Sequence, residues 1–378
     1  MSPTAQADQQ SPRRKRKIIL ISILSLVLVL GAGAAIYLGV ISQAWNGGTN
    51  KFSSAFPDES GKTGSSMDGF NQGLSGNLVN SKGLDNSSVN DKNGNGIPDH
   101  LEYGVVTARP SETGSTDILL LGSDSRAGTA EASNVSGQRA DSIMLLHIPA
   151  SGGDPYLISL MRDSWVNIPG YGAAKINAAL NYGGVDLQVA TIEQLLNVRI
   201  DHVAEIDFSG FKSMTDALGG VTVQVPVSFS SNNYTFTAGE QTMSGGEALV
   251  FVRERYSFAD GDYQRVRNQR AYMNGLLNTI KSQGVFENIG NFKNLIDSIT
   301  PYVTVDSGLT AATIASLALP YLSSGGPNLQ MLTMPNAGPD WSMDGQSIVV
   351  LNVDATAELS NALREGTMDS YVSKHGTD

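Results

Sequence analysis

The sequence predicts an α/β domain with a mixed β-sheet flanked by helices, preceded by one N-terminal transmembrane helix and a flexible spacer. Three observations lead to this prediction: an uncharged apolar run near the N-terminus, a polar stretch without periodicity, and alternating strand and helix patterns from residue 117 onward. The predicted boundaries are a basic cytoplasmic segment at 1–17, a transmembrane anchor at 18–41, an extracytoplasmic spacer at 42–115, the α/β domain at 116–366 and a C-terminal tail at 367–378.

The predicted anchor follows five consecutive basic residues at 13–17, and no charged residue occurs from 18 to 41. Such a run is long enough to cross a bilayer as a helix, and positive charge before it orients the N-terminus inside the cell. A cleaved signal peptide is the alternative, since the small residues at 32–34 resemble a cleavage site. The apolar stretch continues beyond a usual signal core, which favours a retained single-pass anchor in the cell membrane with the rest of the chain outside.

The spacer is rich in Gly, Ser, Asn and Asp, which indicates a flexible connection. Within it, "DKNGNGIPDHLE" at 91–102 has the spacing of a twelve-residue calcium loop, with Gly96 at the turning position. The alternative is a chance match in an Asn/Gly-rich linker. The spacing favours a structural Ca²⁺ site whose oxygen ligands come from Asp91, Asn93, Asn95, the carbonyl of Ile97, Asp99 and Glu102.

Strand and helix patterns alternate after the spacer. "DILLLG" is typical of a buried strand, and "DSIMLLHIP", a Gly-Gly-Asp turn and "PYLISLM" predict a hairpin. A helix is predicted around 175–197 with a break at Gly183-Gly184, followed by the strand "HVAEID" and a helix capped by Ser209. Further strands are predicted at "VTVQV", "LQMLTM" and "IVVLNV", and a closing helix at 355–364.

Composition excludes several classes of function. A formal net charge of -11 argues against nucleic acid as the main partner, because phosphate-backbone binding needs a broad basic surface. The absence of cysteine excludes disulfides, thiolate zinc sites and cysteine nucleophiles. The four histidines have no ligand-like spacing, so a histidine zinc site is not predicted. A local arginine cluster therefore indicates a small polyanion as the partner.

That cluster begins in "FVRER", where Arg253 and Arg255 are two residues apart. On an extended segment both side chains would face the same side, whereas on a helix they would diverge. The sequence is interpreted as extended here. In the helical pattern that follows, Asp262, Arg265 and Gln269 share one stripe.

Two other arginines of the same stretch, Arg267 and Arg270, point away from this stripe. We expect them to be exposed to solvent, as most arginines on charged helices are. The sequence thus predicts that Arg253, Arg255 and Arg265 converge.

More charged residues lie at predicted strand ends, where α/β folds collect functional groups. Aspartates and arginines at such ends fit a divalent metal bridged to a phosphate ester, and internal Arg-Asp salt bridges are the alternative. The residues are Asp124, Arg126, Arg139, Asp141, Arg162 and Asp163.

Six ordered blocks carry a family resemblance. In order they are "DILLLGSDSR", "RADSIMLL", "SLMRD", "KINAAL", "EIDFSGFKSMTDALGGV" and "GEALVFVRERYSFADGDYQRVRNQ". From about residue 117 to 364 the chain resembles the LytR-CpsA-Psr family. The resemblance implies a catalytic domain that transfers a phosphorylated glycan polymer from a polyprenyl pyrophosphate carrier to a hydroxyl of peptidoglycan, such as the 6-hydroxyl of N-acetylmuramic acid, as a phosphodiester.

The resemblance also implies roles for individual residues. Asp124 and Asp141 would bind Mg²⁺, and with Arg139 and Arg255 they form the implied catalytic set. The residues that would bind the pyrophosphate are Arg126, Arg139, Arg162, Arg253, Arg255, Arg265 and Gln269. Met161 stands where the family usually has proline, Asn268 in place of an arginine, and Arg270 in place of a second glutamine.

Two other functions are compatible with the sequence. One is hydrolysis of the carrier pyrophosphate, with water replacing the sugar hydroxyl. The other is a non-catalytic surface protein that senses or adheres through its calcium loop. The apolar helix "VATIEQLL" could line a groove for the polyprenyl chain, although such stripes are more often core.

Overall fold

The structure is a computed structural model that describes residue 39 and residues 42–57, 109–124, 140–284, 289–322 and 325–377. The predicted anchor at 18–41, apart from Gly39, lies outside these ranges. So do the calcium loop at 91–102, Arg126 and Arg139. In the described part of the chain, no helix combines the length and apolar character needed to cross a membrane.

Fifteen strands are defined in the described residues. They are β1 (Asn50–Lys51), β2 (Thr116–Ser123), β3 (Ala140–Ile148), β4 (Tyr156–Leu160), β5 (Trp165–Ile168), β6 (Gly172–Lys175), β7 (His202–Asp207), β8 (Val221–Val225), β9 (Phe229–Ser231), β10 (Tyr234–Phe236), β11 (Gly239–Met243), β12 (Val303–Val305), β13 (Gln330–Thr333), β14 (Asn336–Trp341) and β15 (Ser347–Leu351).

Seven of these strands form the central sheet in the order β1-β12-β7-β2-β3-β4-β13. β2 and β7 run parallel, as do β4 and β13, whereas β2, β3 and β4 pair antiparallel in sequence. The predicted hairpin of β3 and β4 and the predicted mixed sheet are confirmed. The remaining strands form two-stranded sheets, among them the β9–β10 hairpin.

Eight helices are labelled in the described residues. They are α1 (Ala178–Leu196), α2 (Phe208–Ala217), α3 (Gly245–Arg253), α4 (Asp262–Ser282), α5 (Ile289–Ile299), α6 (Ala311–Leu322), α7 (Val353–Glu365) and α8 (Met368–His375).

Two helix predictions have different outcomes. The break in α1 is confirmed, because Gly183 and Gly184 leave helical geometry and Gly184 has a φ of 73° that glycine adopts without strain. The predicted cap at Ser209 is wrong. The N-cap of α2 is Asp207, two residues earlier, and its side chain accepts a hydrogen bond of 2.6 Å from the Gly210 amide.

Successive side chains of a strand point to opposite sides of the sheet. Both faces of the central sheet are buried because helices pack on each of them. On one face Leu119, Leu145 and Ile158 pack with residues of α1, α7 and α8. On the other face Ile118 and Val305 pack with residues of α3, α4 and β8. Helices therefore cover both faces of the sheet. Charged residues lie at one of its ends.

A buried ion pair connects the segment before β2 to α1. Arg109 donates to both oxygens of the Glu193 carboxylate, with Nη2–Oε1 at 2.6 Å, and both side chains are buried. Burial raises the pKa of Glu193, and Arg109 opposes that shift. A carboxyl with a raised pKa stabilises the fold when protonated, and this contribution is lost as pH rises through its folded pKa.

Arg109→Ala is therefore expected to lower the free energy of unfolding by about 3–5 kcal/mol at pH 8, since it leaves a buried carboxylate unpaired. At pH 5 the loss should be smaller, because Glu193 without its partner takes up a proton more readily. Urea denaturation at both pH values measures the difference. The double variant with Glu193→Gln should show little pH dependence of the loss, and equal losses in the single variant would contradict this account.

Candidate active site

The two aspartates predicted to bind metal lie at one end of the β2–β3 pair. Gly122 lies opposite Ser142 and Ser123 opposite Ala140, so Asp141 is the extra residue of a β-bulge. Bulges at sheet rims redirect a side chain and are frequent beside active sites. Asp124 follows β2 directly and is exposed. Both carboxylates therefore occupy the same end of the sheet.

The neighbouring strand β4 brings Arg162 to the same end. Its Nη1 donates to Oδ1 of Asp141 across the strand ends. Arg253 approaches the other oxygen of this carboxylate, with Nε 3.5 Å from Oδ2. Asp141 thus holds two of the arginines that the sequence predicts for a pyrophosphate.

The interpretation of "FVRER" as an extended segment is wrong in its first half. α3 runs to Arg253, and Ser244 starts it with a capping box in which the Ser244 and Glu247 side chains each accept from the other residue's backbone amide. At Glu254 the backbone turns to extended geometry, with ψ 133°. This change of direction, rather than strand alternation, brings Arg255 to the same cavity as Arg253.

The polar stripe of α4 faces the same place, as predicted. Arg265 Nη2 lies 3.0 Å from Oδ2 of Asp262. Gln269 Nε2 lies 3.5 Å from the carbonyl oxygen of Asp141 and 3.3 Å from that of Val252. The helix therefore places a guanidinium and an amide beside the bulge.

The two arginines expected to be solvent-exposed behave differently. Arg267 is partly exposed and pairs with Asp260. The prediction is wrong for Arg270, whose residue is only 8% exposed. Its Nη1 donates a hydrogen bond of 3.0 Å to Oγ1 of Thr333 on β13. Both line a separate polar cavity of about 620 Å³, away from Asp141.

A second pair of carboxyl groups, Asp163 and Asp262, lies beside the other basic side chains of the site. Asp163 and Asp262 are hydrogen-bonded to each other, and both are largely buried. Arg255 Nη1 lies 4.0 Å from Asp163 and 3.5 Å from Asp262, and Lys175 Nζ lies 3.4 Å from Asp163. Arg162 Nε lies 3.8 Å from Asp163, and Arg265 pairs with Asp262, so four basic side chains surround the two carboxyl groups.

The pair holds one proton more tightly than two separate carboxyls would. Burial and the hydrogen bond to Asp163 raise the pKa of Asp262. Burial alone would raise the pKa of Asp163 as well, but the hydrogen bond from Asp262 and the charges of Arg162 and Lys175 lower it. Asp163 is therefore the anionic member of the pair, and Asp262 is the better proton holder.

Two buried guanidinium nitrogens of this site have hydrogen-bonding capacity that the described residues leave unused. Nε of Arg162 and Nε of Arg265 have no hydrogen-bond partner there. Burial lowers the pKa of Arg265, and the neighbouring carboxyl of Asp262 opposes that shift. Buried donors of this kind are suited to an incoming anion with several oxygens.

Two cavities meet at these residues. One, of about 630 Å³, is lined by Arg162, Arg253, Arg255 and Arg265 together with polar loop residues. The other, of about 260 Å³, is almost entirely apolar and lies between the sheet and helices α2 to α4. The residues shared by both linings are Asp141, Leu249 and Arg253.

The apolar cavity is not lined by the helix "VATIEQLL". Val189, Ile192 and Leu196 of that helix are buried in the core on the opposite face of the sheet. The side chains that line the cavity include Leu120, Met144, Phe211, Met214, Tyr272, Leu276 and Val303.

The chemistry of the aspartate donors fits a hard divalent cation. Mg²⁺ takes oxygen ligands and is commonly held by one or two carboxylates, with water and substrate phosphates completing its shell. Asp124 and Asp141 supply two carboxylates at neighbouring strand ends. Within the described ranges no group of three or more His, Cys, Asp or Glu residues could hold a metal ion.

Comparison with known proteins identifies the family. The sequence profile described as the LytR_cpsA_psr family matches residues 79–365. The chain belongs to this family. The resemblance stated from the six sequence blocks is thereby confirmed.

Relatives and solved structures agree with this membership. The probable cell wall biosynthesis protein LcpB of Corynebacterium glutamicum is 38% identical over 219 residues, covering 55% of this chain and 52% of LcpB. TagU of Bacillus mycoides, named a polyisoprenyl-teichoic acid–peptidoglycan teichoic acid transferase, is 34% identical over 52% of this chain and 62% of TagU. The chain therefore spans little more than half of LcpB and less than two thirds of TagU.

The LytR-Csp2A-Psr enzyme from Actinomyces oris superposes with a TM-score of 0.54 at 23% identity, covering 68% of this chain and 93% of that one. This similarity shows a shared fold. The predicted α/β domain with a mixed sheet flanked by helices is confirmed.

Departures from the LytR-CpsA-Psr pattern have structural roles here. Met161, in place of proline, is buried against Val266 and Val349. Asn268, in place of arginine, is fully buried, donates to the Phe251 carbonyl at 3.2 Å and accepts from Gln264 at 2.9 Å. Asn268 therefore attaches α4 to α3.

Sequence reasoning gave Lys175 and Asp262 no role in the site, and it placed Asp163 at a strand end without a role of its own. Asp163 and Asp262 were visible as a strand-end residue and a member of the α4 stripe, but their mutual contact was not. Glu205 was missed as well: it lines the apolar cavity and accepts a hydrogen bond from Ser123. Its only sequence signal was its place in the block "EIDFSGF".

Proposed function

We propose that this LytR-CpsA-Psr protein is a membrane-anchored transferase. It moves a phosphorylated glycan polymer from a polyprenyl pyrophosphate carrier to peptidoglycan and forms a phosphodiester. The observation that carries the proposal is the meeting of an apolar cavity and an arginine-rich cavity at Asp141, Leu249 and Arg253. A donor with a hydrocarbon tail, a diphosphate and a polar head needs this sequence of environments.

The apolar cavity would hold the end of the polyprenyl chain nearest the diphosphate. Burial of each methylene is worth about 0.8 kcal/mol, so an apolar cavity gives substantial affinity for such a chain. The name of the relative TagU, which refers to a polyisoprenyl donor and a peptidoglycan acceptor, supports this choice. The helix predicted at 18–41 would keep the domain close to the membrane that contains the carrier.

The arginine-rich cavity would bind the diphosphate. Arg162, Arg253 and Arg265 offer planar forks that bind two oxygens at once, which lysine cannot do. The unused Nε donors of Arg162 and Arg265 support an anion in this position. The predicted contribution of Arg126 and Arg139 belongs to the same proposal.

The reaction follows from this placement. An acceptor hydroxyl oxygen forms a bond to the phosphorus nearer the glycan, and the bond from that phosphorus to the bridging oxygen breaks. Polyprenyl phosphate leaves with the electron pair, and the hydroxyl proton passes to a base, for which Asp124 or Asp141 is available. Fixed guanidinium groups stabilise the charge on the non-bridging oxygens.

Mg²⁺ held by Asp124 and Asp141 would neutralise phosphate charge in the same site. Ligation of a carboxylate to the metal competes with its use as a base, so an aspartate that holds Mg²⁺ would be a weaker acceptor for the hydroxyl proton.

The test uses the full chain in detergent with a radiolabelled, lipid-linked glycan donor and purified peptidoglycan. We expect the label to become attached to insoluble peptidoglycan, to stop doing so after EDTA treatment, and to resume with Mg²⁺. Label released as soluble phosphorylated glycan would instead identify a hydrolase. If the label stays on the lipid under all conditions, the non-catalytic sensor function replaces the proposal.

A further inference from the structure

The arginine-rich cavity extends past the arginines that would bind the diphosphate. Its outer wall consists of Ser231 and Asn232 from the β9–β10 hairpin and residues 254–257 after α3. If the diphosphate binds at the arginines and the tail enters the apolar cavity, the group on the other side of the diphosphate meets this wall. That inference rests on the proposed function.

Tyr256 is the side chain on this wall that folding does not explain. It is 84% exposed, more than any other large hydrophobic side chain in the described ranges. The guanidinium carbon of Arg255 lies 4.6 Å from the ring centroid, and Arg255 Nη2 donates to the Tyr256 hydroxyl at 2.6 Å. The ring is therefore oriented by one neighbour and remains accessible to the cavity.

The wall is held rigid beneath this exposed ring. The Glu254 carboxylate accepts from the amides of Arg255 and Ser257 at 2.9 Å each, and from the Ser231 hydroxyl. These bonds fix the loop after α3 and attach it to the hairpin. The hairpin turn places Asn232 and Asn233 at φ 47° and 67°, values that asparagine tolerates better than most residues.

Asn232 is exposed at the rim of the same cavity. An exposed aromatic face beside amide and hydroxyl groups is suited to a pyranose ring. The C–H groups of one sugar face contact the electron-rich ring, and the sugar hydroxyls bond to the polar groups.

We propose that Tyr256 and Asn232 form a subsite for the first sugar of the glycan, the one joined to the diphosphate. The sugar stacks on the Tyr256 ring, and Asn232 and Ser257 bond to its hydroxyls. The subsite selects donors by their first sugar, whereas the arginines read only the diphosphate.

The test compares two probes, farnesyl diphosphate and farnesyl diphosphate esterified with an N-acetylhexosamine, by calorimetric titration of the full chain in detergent. We expect wild type to bind the sugar-bearing probe more tightly. Tyr256→Leu should lower the ratio of the two affinities about five-fold to ten-fold, the value of an aromatic contact. Tyr256→Phe should keep the ratio within about two-fold, because it retains the ring.

Asn232→Ala should also lower the ratio and leave binding of farnesyl diphosphate unchanged. Both sites are exposed, so thermal unfolding should match wild type. An unchanged ratio in Tyr256→Leu, with both probes weakened alike, would mean that the ring only positions Arg255 and would overturn the subsite. Failure of wild type to bind farnesyl diphosphate would overturn the proposed function and this inference with it.

Discussion

Replacement of Arg255 by alanine is expected to lower kcat for glycan transfer by about two to three orders of magnitude, the cost of removing one donor that stabilises transition-state charge. Partial burial would lower the pKa of Arg255, but the Tyr256 hydrogen bond and the carboxyl of Asp262 raise it, so the guanidinium stays charged. Its ion pairs, at 3.5 and 4.0 Å, are long and partly exposed. Loss of such pairs should cost less than about 1 kcal/mol of stability.

Arg267→Ala is the matched control. Arg267 comes from the same arginine-rich stretch but pairs with Asp260 and lines the separate polar cavity. Its removal should change kcat by less than about three-fold. Arg255→Lys should recover only part of the activity, because an ammonium group does not bind two phosphate oxygens in a fork. Similar losses in Arg255→Ala and Arg267→Ala would show that general positive charge, and not this site, supports the reaction.

The sheet was predictable because buried strands carry a signal in their own residues. Continuous apolar runs such as "DILLLG" and "YLISL" are strand-length and bounded by polar or turn residues. The break in α1 was predictable for the same reason, since two adjacent glycines interrupt a helical pattern. Local chemistry determines these features, so a single sequence reveals them.

The course of the chain at "FVRER" was not deduced, although a signal was present. Ser244 and Glu247 have the spacing of a capping box before an apolar run, which predicts a helix start. The alternation of Arg253 and Arg255 favoured an extended segment, and the cap outweighed it. The two arginines still reach one cavity because the backbone changes direction at Glu254.

Contacts between distant residues had no signal in the sequence. Asp163 and Asp262 are far apart in the chain and meet because β4 ends where α4 begins. Arg270 is buried because the far side of α4 lies near Thr333 on β13. Helical periodicity gives the direction of a side chain, but it does not say which element lies there.

Filling the apolar cavity should separate tail binding from diphosphate binding. Ala204 of β7 lines this cavity, in register with Leu120 and Val305. In Ala204→Phe, the ring would take space that the first isoprene unit of the donor needs. At about 0.8 kcal/mol per methylene, exclusion of five carbons weakens binding by up to about 4 kcal/mol, so KM for a long-chain donor should rise by up to about three orders of magnitude.

A donor whose diphosphate carries a methyl group in place of the isoprenoid chain gains little from the cavity in wild type, so its KM should rise far less in the same variant. Ala238→Phe, which adds the same ring at an exposed position outside the cavity lining, should leave both KM values within about two-fold. Thermal unfolding of Ala204→Phe checks that the fold survives, since an aromatic ring in an unfilled cavity costs less than overpacking of a dense core. If KM rises equally for both donors, the ring disturbs the arginines at the shared boundary, and the cavity does not hold the hydrocarbon chain.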